Sequence, residues 1–346
     1  MTESMKAAVY EGVGKLIVKE VPRPALKPGG LVAKVACCAI CGTDFKMYYA
    51  PNPRVKPPVI IGHEFAARVV ESATPAFRPG DRITMATSVA CGECWLCRKG
   101  LGNLCDGKTC LGTDAPGAYA EFLAVPARAV RLGNVVRVPE SVSDELGSLA
   151  EPLSCVINSQ IIAGVGPGDT VAILGAGPLG CLHALCARAR GAGRVIVCQR
   201  SESRARLARE LPVDEVVTSG SPVEDVLRLT SKRGADRVIV AASDRKAHED
   251  SIRMVRKGGV VNLFASLPKG DSELALDSRL IHYHEISLTG ASDSRPEHVE
   301  AALGLLADSS LPWPKLITHR VALDRILDGI RVMGEKSGLK VLVYPT

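Results

Sequence analysis

The chain has 346 residues, 46% hydrophobic and only 4% aromatic, enough to build two domains whose cores are filled mainly by aliphatic side chains. Its 43 basic and 37 acidic residues give a net charge of +6 spread along the sequence, without the basic stripe and interleaved aromatics of a nucleic-acid binder. No apolar run reaches the roughly 18 to 20 residues that span a bilayer, no leader pattern opens the chain, and twelve cysteines diluted over a long α/β pattern suit a reducing compartment, so a cytoplasmic protein with no membrane partner is expected.

Gly and Pro break the first 150 residues into short strands, predicted at 5–10, 16–20, 31–39, 65–72, 82–84 and 122–126, a β-rich domain with long loops. Cys37 and Cys38 alternate within the third strand and read as core. Beyond that strand stands Cys41-Gly42-Thr43-Asp44, and ahead of the fourth Gly62-His63-Glu64. Next comes a polar, glycine-punctuated loop with Cys91, Cys94, Cys97 and Cys105 spaced C-x2-C-x2-C-x7-C. Four thiolates so close in sequence form a tetrahedral pocket for zinc, and with all four committed the site is closed, hence structural. The segment Glu151-Pro152-Leu153-Ser154 ends this region. Cys41, His63 and Glu151 are a thiolate, an imidazole and a carboxylate from separated segments, three protein ligands, as in a catalytic zinc that keeps its fourth position open. Singly, each has a plainer reading: a core cysteine, a surface His-Glu pair, a turn-starting Glu-Pro.

From about residue 156 the periodicity changes to alternating strands and amphipathic helices: strands at 170–174, 194–199, 215–217, 237–241, 259–264 and 286–290, with helices to 190 and over 203–211. Repeated β–α units predict a doubly wound parallel sheet. The first strand runs into Gly175-Ala176-Gly177-Pro178-Leu179-Gly180 and a helix, the setting in which G-x-G-x-x-G binds a dinucleotide pyrophosphate. The next strand ends in Gln199-Arg200-Ser201, with Arg204 a turn further on. An acidic residue there would read an NAD ribose; a neutral and cationic set accommodates a 2′-phosphate, which favours NADP over NAD. His282, Tyr283 and His284 read as strand or loop near the coenzyme rather than as a metal cluster. Cys155, Cys181, Cys186 and Cys198 lie in apolar contexts and read as small core residues. A helix at 295–308 and a strand at 340–344 close the chain, and this tail is expected to return to the first domain.

Taken in order and at these intervals, Cys41-Gly-Thr-Asp, Gly62-His63-Glu64, the four-cysteine loop, Gly102-Asn103-Leu104-Cys105, Glu151-Pro-Leu-Ser and the glycine-rich turn resemble the zinc-containing medium-chain alcohol dehydrogenases. Glu-Pro-Leu-Ser is most similar to the sorbitol (L-iditol) and related polyol dehydrogenase branch. The resemblance covers essentially the whole chain. It implies an α/β architecture: a GroES-like β-rich catalytic domain, 1–155 with 291–346, and a Rossmann doubly wound parallel-sheet coenzyme domain, 156–290, with the active-site cleft at their junction. It implies that Cys41, His63 and Glu151 hold the catalytic zinc, with Glu64 touching the metal directly or through water. Thr43 would hydrogen-bond the substrate oxygen, and Asp44 would support the ligand histidine. Gln199 would stand where NAD-dependent members carry Asp, and Arg204 would line the adenosine ribose site. Where many members carry a histidine two residues after the Asp, this chain has Lys46, which becomes the candidate for the outer proton relay.

The expected reaction is hydride transfer between a secondary alcohol, polyol or sugar-like, and NADP, with ketone reduction in reverse. Phe45, Met47, Tyr48 and the loop 113–118 are the expected substrate walls. An L-threonine 3-dehydrogenase acting on an amino alcohol is the alternative, and a non-catalytic nucleotide-binding protein with only the structural zinc is the alternative of another class. By analogy alone, a homodimer or homotetramer is expected.

Overall fold

The computed structural model describes residues 3–345. It divides into two compact units: one holds the chain up to Ser154, Asp293–Ser309 and the residues from Ile317 onward, the other Cys155–Ser292 with Ser310–Leu316.

In the first unit the strands are β1 (Ser4–Gly12), β2 (Lys15–Pro22), β3 (Leu31–Ala39), β4 (Val59–Ile60), β5 (Glu64–Ser72), β6 (Arg82–Met85), β7 (Ser88–Val89), β8 (Thr109–Cys110), β9 (Phe122–Val125) and β10 (Val135–Arg137). The second contributes β11 (Thr170–Leu174), β12 (Arg194–Cys198), β13 (Glu215–Val217), β14 (Ala235–Val240), β15 (Val255–Leu263) and β16 (Ser287–Gly290); β17 (Ile317–Ala322) and β18 (Lys340–Tyr344) belong again to the first. Its largest sheet runs β10-β6-β5-β3-β18-β17, with β9 also on β3, and a smaller one runs β2-β1-β4. Aliphatic and sulfur side chains, among them Leu31, Met47, Ile83, Met85 and Val341, fill most of this core, with a few aromatics such as Phe65. β18 lies antiparallel to β3, with Leu342 opposite Ala39, so the tail does return beside the first domain's strands.

The second unit is a six-stranded, wholly parallel sheet in the order β13-β12-β11-β14-β15-β16. Every residue of β11 is buried, as a strand covered on both faces must be, which is why it reads as an unbroken apolar run. This is the doubly wound order in which a dinucleotide is bound where the strand order reverses.

Several elements went unseen in the sequence. β17 alternates weakly, and β4, β7 and β8 have two residues each, too few for any periodicity to show. His282–His284 are not in a strand or loop: they close the helix Ser278–His284, started by the Asp277 carboxylate accepting the Leu280 N–H and ended by the left-handed Glu285. Cys155 is only partly buried, whereas Cys37, Cys38, Cys181, Cys186 and Cys198 are core as expected. None of the twelve cysteines forms a disulfide.

Candidate metal centre and coenzyme loop

The β3/β5 ladder ends with Ala39 opposite Glu64, so the residues just beyond the two strand ends, Cys41 and His63, meet at one end of the ladder. Cys41 caps the helix Gly42–Tyr49. Its Sγ accepts the Thr43 N–H (3.4 Å) and the Asp44 carboxylate accepts the Cys41 N–H (3.0 Å), a capping box in which sulfur replaces the usual hydroxyl. The first-turn N–H of this helix therefore points at the sulfur. Cys41 Sγ, a His63 ring nitrogen and a Glu64 carboxylate oxygen all lie within 4.8 Å of one another. Ligands on one tetrahedral zinc stand about 3.3–3.8 Å apart, so these donors need only a small closure around an ion.

What surrounds them fits a dication. Asp44 is fully buried, accepts the Tyr119 hydroxyl at 2.7 Å, and leaves its other oxygen 3.8 Å from His63 Nδ1; both of those atoms are buried and have no hydrogen-bond partner. Burial by itself would lower the His63 pKa, but the Cys41 thiolate, with Asp44 and Glu151, reverses this and holds it well above the usual imidazole value. Burial, then repulsion from Glu64 and Asp293, raises Glu151 to about 7, against the opposing pull of His63 and Lys340. Four acidic groups, Cys41, Asp44, Glu64 and Glu151, thus crowd around one imidazole and one ammonium. Lys340 is that ammonium: 2% exposed, it donates to a Glu64 oxygen. The register explains its presence, because Ala39 has Glu64 on one side and Leu342 on the other, and Lys340 shares a face with Leu342.

The four-cysteine loop is assembled from local turns. Cys91 and Cys97 sulfurs are 3.8 Å apart, Cys94 and Cys97 3.4 Å, Cys94 and Cys105 3.8 Å. Zinc–sulfur bonds of about 2.3 Å place tetrahedral sulfurs about 3.8 Å apart, so this set is already at ligating distance. The N–H groups of Glu93 and Cys94 point at the Cys91 sulfur and lower its pKa to about 6.

In the second unit β11 passes into Gly175, whose φ of +108° no β-carbon tolerates easily, and the helix Pro178–Ala189 starts with Pro after the N-cap Gly177. A β-carbon on Gly180 would sit 1.9 Å from the Gly175 carbonyl oxygen, so glycine is required for the helix to pack on the turn. Leu179 lies in the same first turn. Gln199 accepts the Ala176 N–H at 2.8 Å and so ties the end of β12 to the turn. Arg204 reaches over Gly177, with one guanidinium nitrogen 3.2 Å from where a β-carbon would stand, and its buried Nε has no partner. Arg200 is largely exposed and paired with Asp244, while Ser201 Oγ lies 2.8 Å from Ser203 Oγ.

Comparison with known proteins agrees with this geometry. Residues 27–140 match the alcohol dehydrogenase GroES-like domain and residues 178–308 the zinc-binding dehydrogenase family. An L-threonine 3-dehydrogenase from Pyrococcus horikoshii is 32% identical over 333 residues, 92% of each chain. The chain belongs to the zinc-containing medium-chain alcohol dehydrogenases. A Sinorhizobium meliloti 1021 protein solved bound to NADP has 32% identity and a TM-score of 0.90, covering 99% of this chain and 100% of its own. An alcohol dehydrogenase from Thermus sp. ATN1 has 29% identity and a TM-score of 0.88 over 98% and 99%. The protein is thus an oxidoreductase with a GroES-like and a Rossmann-type part.

The carboxylate whose oxygen lies within 4.8 Å of the Cys41 and His63 donors is Glu64; Glu151, in the first turn of the helix Ala150–Ala163, is coupled electrostatically to His63 and Glu64. Thr43 is half-buried beside Cys41. Lys46 is exposed and forms no ion pair or hydrogen bond with the cluster. Met47 does not line a substrate wall: the helix turns it inward, where it is 1% exposed in the core, and Phe45 and Tyr48 pack against that core. Lys340, Tyr119 and Asp293 were missed, since nothing local marks them. Strand pairing with β3 was the one signal that could have placed Lys340.

Proposed function

We propose that the protein oxidises a secondary alcohol with NADP, and reduces the matching ketone in reverse, at a zinc held by Cys41, His63 and a carboxylate from Glu151 or Glu64. The observation that carries this reading is the convergence of Cys41, His63 and Glu64 donors from separated segments in a buried, anion-rich setting. When bound, zinc supplies a Lewis acid that lowers the pKa of an alcohol oxygen, and the nicotinamide supplies the hydride acceptor. Around them the chain's own groups have distinct tasks. Asp44, locked by Tyr119 and the Cys41 N–H, orients the His63 ring. Lys340 keeps Glu64 turned toward it, and Thr43 takes the alcohol proton at its hydroxyl and passes it outward. Cys91, Cys94, Cys97 and Cys105 hold a second zinc that fixes their loop.

NADP is favoured over NAD because the end of β12 offers Gln199, and Arg204 lies over the glycine turn without a carboxylate partner. The relatives named L-threonine 3-dehydrogenase support an amino alcohol as substrate, and Glu151-Pro-Leu-Ser supports a polyol. A homo-oligomer is supported by β16, an edge strand of its sheet with Leu288 exposed. Initial rates with L-threonine and a polyol panel, each with NADP+ and NAD+, test the whole reading. Turnover of at least one secondary alcohol, faster with NADP+, is expected; no turnover by zinc-loaded protein with either coenzyme would overturn it.

A further inference from the structure

Away from the metal cluster, the first unit contains a cavity of about 610 Å³ that neither Cys41 nor His63 lines. That volume is within the range of small-molecule sites. Its wall carries three cations, Lys19, Arg54 and Lys56, against a single carboxylate, Asp114. The lining also includes the apolar Val9, Val21, Val59 and Ile60.

The cations differ in how far they are already engaged. Lys19 is paired with Glu11. Arg54 is held at one guanidinium nitrogen by the Cys110 sulfur (2.9 Å) and, more loosely, by Asp114 (3.5 Å), which leaves the rest of its fork without a hydrogen bond. Lys56 has neither an ion pair nor a hydrogen bond. Buried Val55 anchors the segment between these two, and Asn52 accepts the Arg54 N–H at 3.0 Å, so both side chains are presented from a tethered loop. A held guanidinium and an unpaired ammonium in a cavity that also offers apolar surface form a receptor for a negative headgroup with a hydrocarbon body.

We propose that this cavity binds a small amphipathic organic anion, its carboxylate or phosphate headgroup on Arg54 and Lys56 and its apolar body against Val9, Val59 and Ile60. The site shares no lining residue with the metal cluster but is linked to it through the backbone. The Gly117 N–H donates to the Ile60 carbonyl (2.8 Å) and the Ala118 N–H to the Gly62 carbonyl (2.9 Å), which joins the cavity's loop to the segment carrying His63.

The test is titration calorimetry of hexanoate, hexyl phosphate and hexanol into the zinc-loaded full chain at low salt. Saturable binding of at least one anion is expected, with hexanol at least about tenfold weaker. A more than tenfold preference between the two anions identifies the headgroup. Arg54→Gln/Lys56→Gln, two changes on an exposed loop, should weaken anion binding about tenfold or more while zinc content stays that of the parent. Cys41→Ser should leave anion binding within about twofold, and rising salt should weaken it. Hexanol binding as tightly as the anions, parent affinity in the double variant, or loss of binding in Cys41→Ser would each overturn the proposal, the last by placing the anion on the metal.

Discussion

Two clusters of side chains with metal-ligating chemistry sit in the same unit and are built in opposite ways. The four cysteines come from one loop of 15 residues and touch one another, with backbone N–H groups already aimed at the Cys91 sulfur. Cys41, His63 and Glu64 come from the ends of β3 and β5 and are hemmed in by Asp44, Glu151 and Lys340. A closed all-sulfur set can only hold a loop together. A mixed set under electrostatic load can hold an ion whose remaining position does chemistry. The difference teaches where each kind of damage should appear: in stability for the first cluster, in turnover for the second.

The sharpest break of the comparison is a pair of serine substitutions. Cys41→Ser should lower kcat/KM by about a thousandfold or more, roughly 4 kcal/mol of transition-state stabilisation, while the thermal midpoint shifts little. Cys94→Ser should do the reverse: the midpoint falls by about 10 °C or more as the loop loses its zinc, and kcat of the protein that remains folded stays within a few fold of the parent. Thermal melts and steady-state rates on both variants check this. Equal loss of turnover in the two would erase the distinction.

Next in size is the buried pair. Lys340→Met leaves Glu64 buried without its cation and should cost about 3–5 kcal/mol in denaturant unfolding. Adding Glu64→Leu should recover much of that, because two apolar groups replace two charges. If the double variant were no more stable than the single one, the pair would not be the unit that matters.

A carboxylate in the second unit calibrates these figures. Asp236 on β14 accepts hydrogen bonds from Arg233, Arg256 and the Thr170 N–H, and although burial opposes it, these hold its pKa far below the usual carboxylate value. Its folded pKa is depressed, so its stabilisation is present above the unfolded value near 3.9 and is lost as pH falls through the lower folded value. Asp236→Asn should therefore cost about 2 kcal/mol near pH 7, and the gap to the parent should close progressively below about pH 4. A gap independent of pH would mean that shape, not charge, is what Asp236 contributes. The smallest effect is expected at the coenzyme. Gln199→Asp should move preference toward NAD+ by about tenfold, read as the ratio of kcat/KM values.

The same contrast decides what was legible in the sequence. The four-cysteine loop and the turn from Gly175 to Gly180 are local: ligand spacing and glycine placement are written in nearly consecutive residues. The alternating second unit was legible because β11 and β12 each carry a run of four apolar residues, with a helix between them. How residues from separated segments gather around Cys41 and His63 was not, because it depends on the β3/β5 register and on a helix start more than eighty residues later. Lys340 was invisible for the same reason, reaching Glu64 only through the pairing of β18 with β3. Met47 misled because an eight-residue helix with one buried face resembles a loop when read residue by residue.

The most direct measurement is zinc content per chain, by elemental analysis after exhaustive dialysis, for the parent, Cys41→Ser and Cys94→Ser, with coenzyme binding followed in parallel. About two zinc in the parent and about one in each variant, with coenzyme binding intact in Cys41→Ser, is the result expected of one closed and one open site. A parent that retains a single zinc, still present in Cys41→Ser and gone in Cys94→Ser, would contradict a metal at Cys41 and His63, and the proposed chemistry with it.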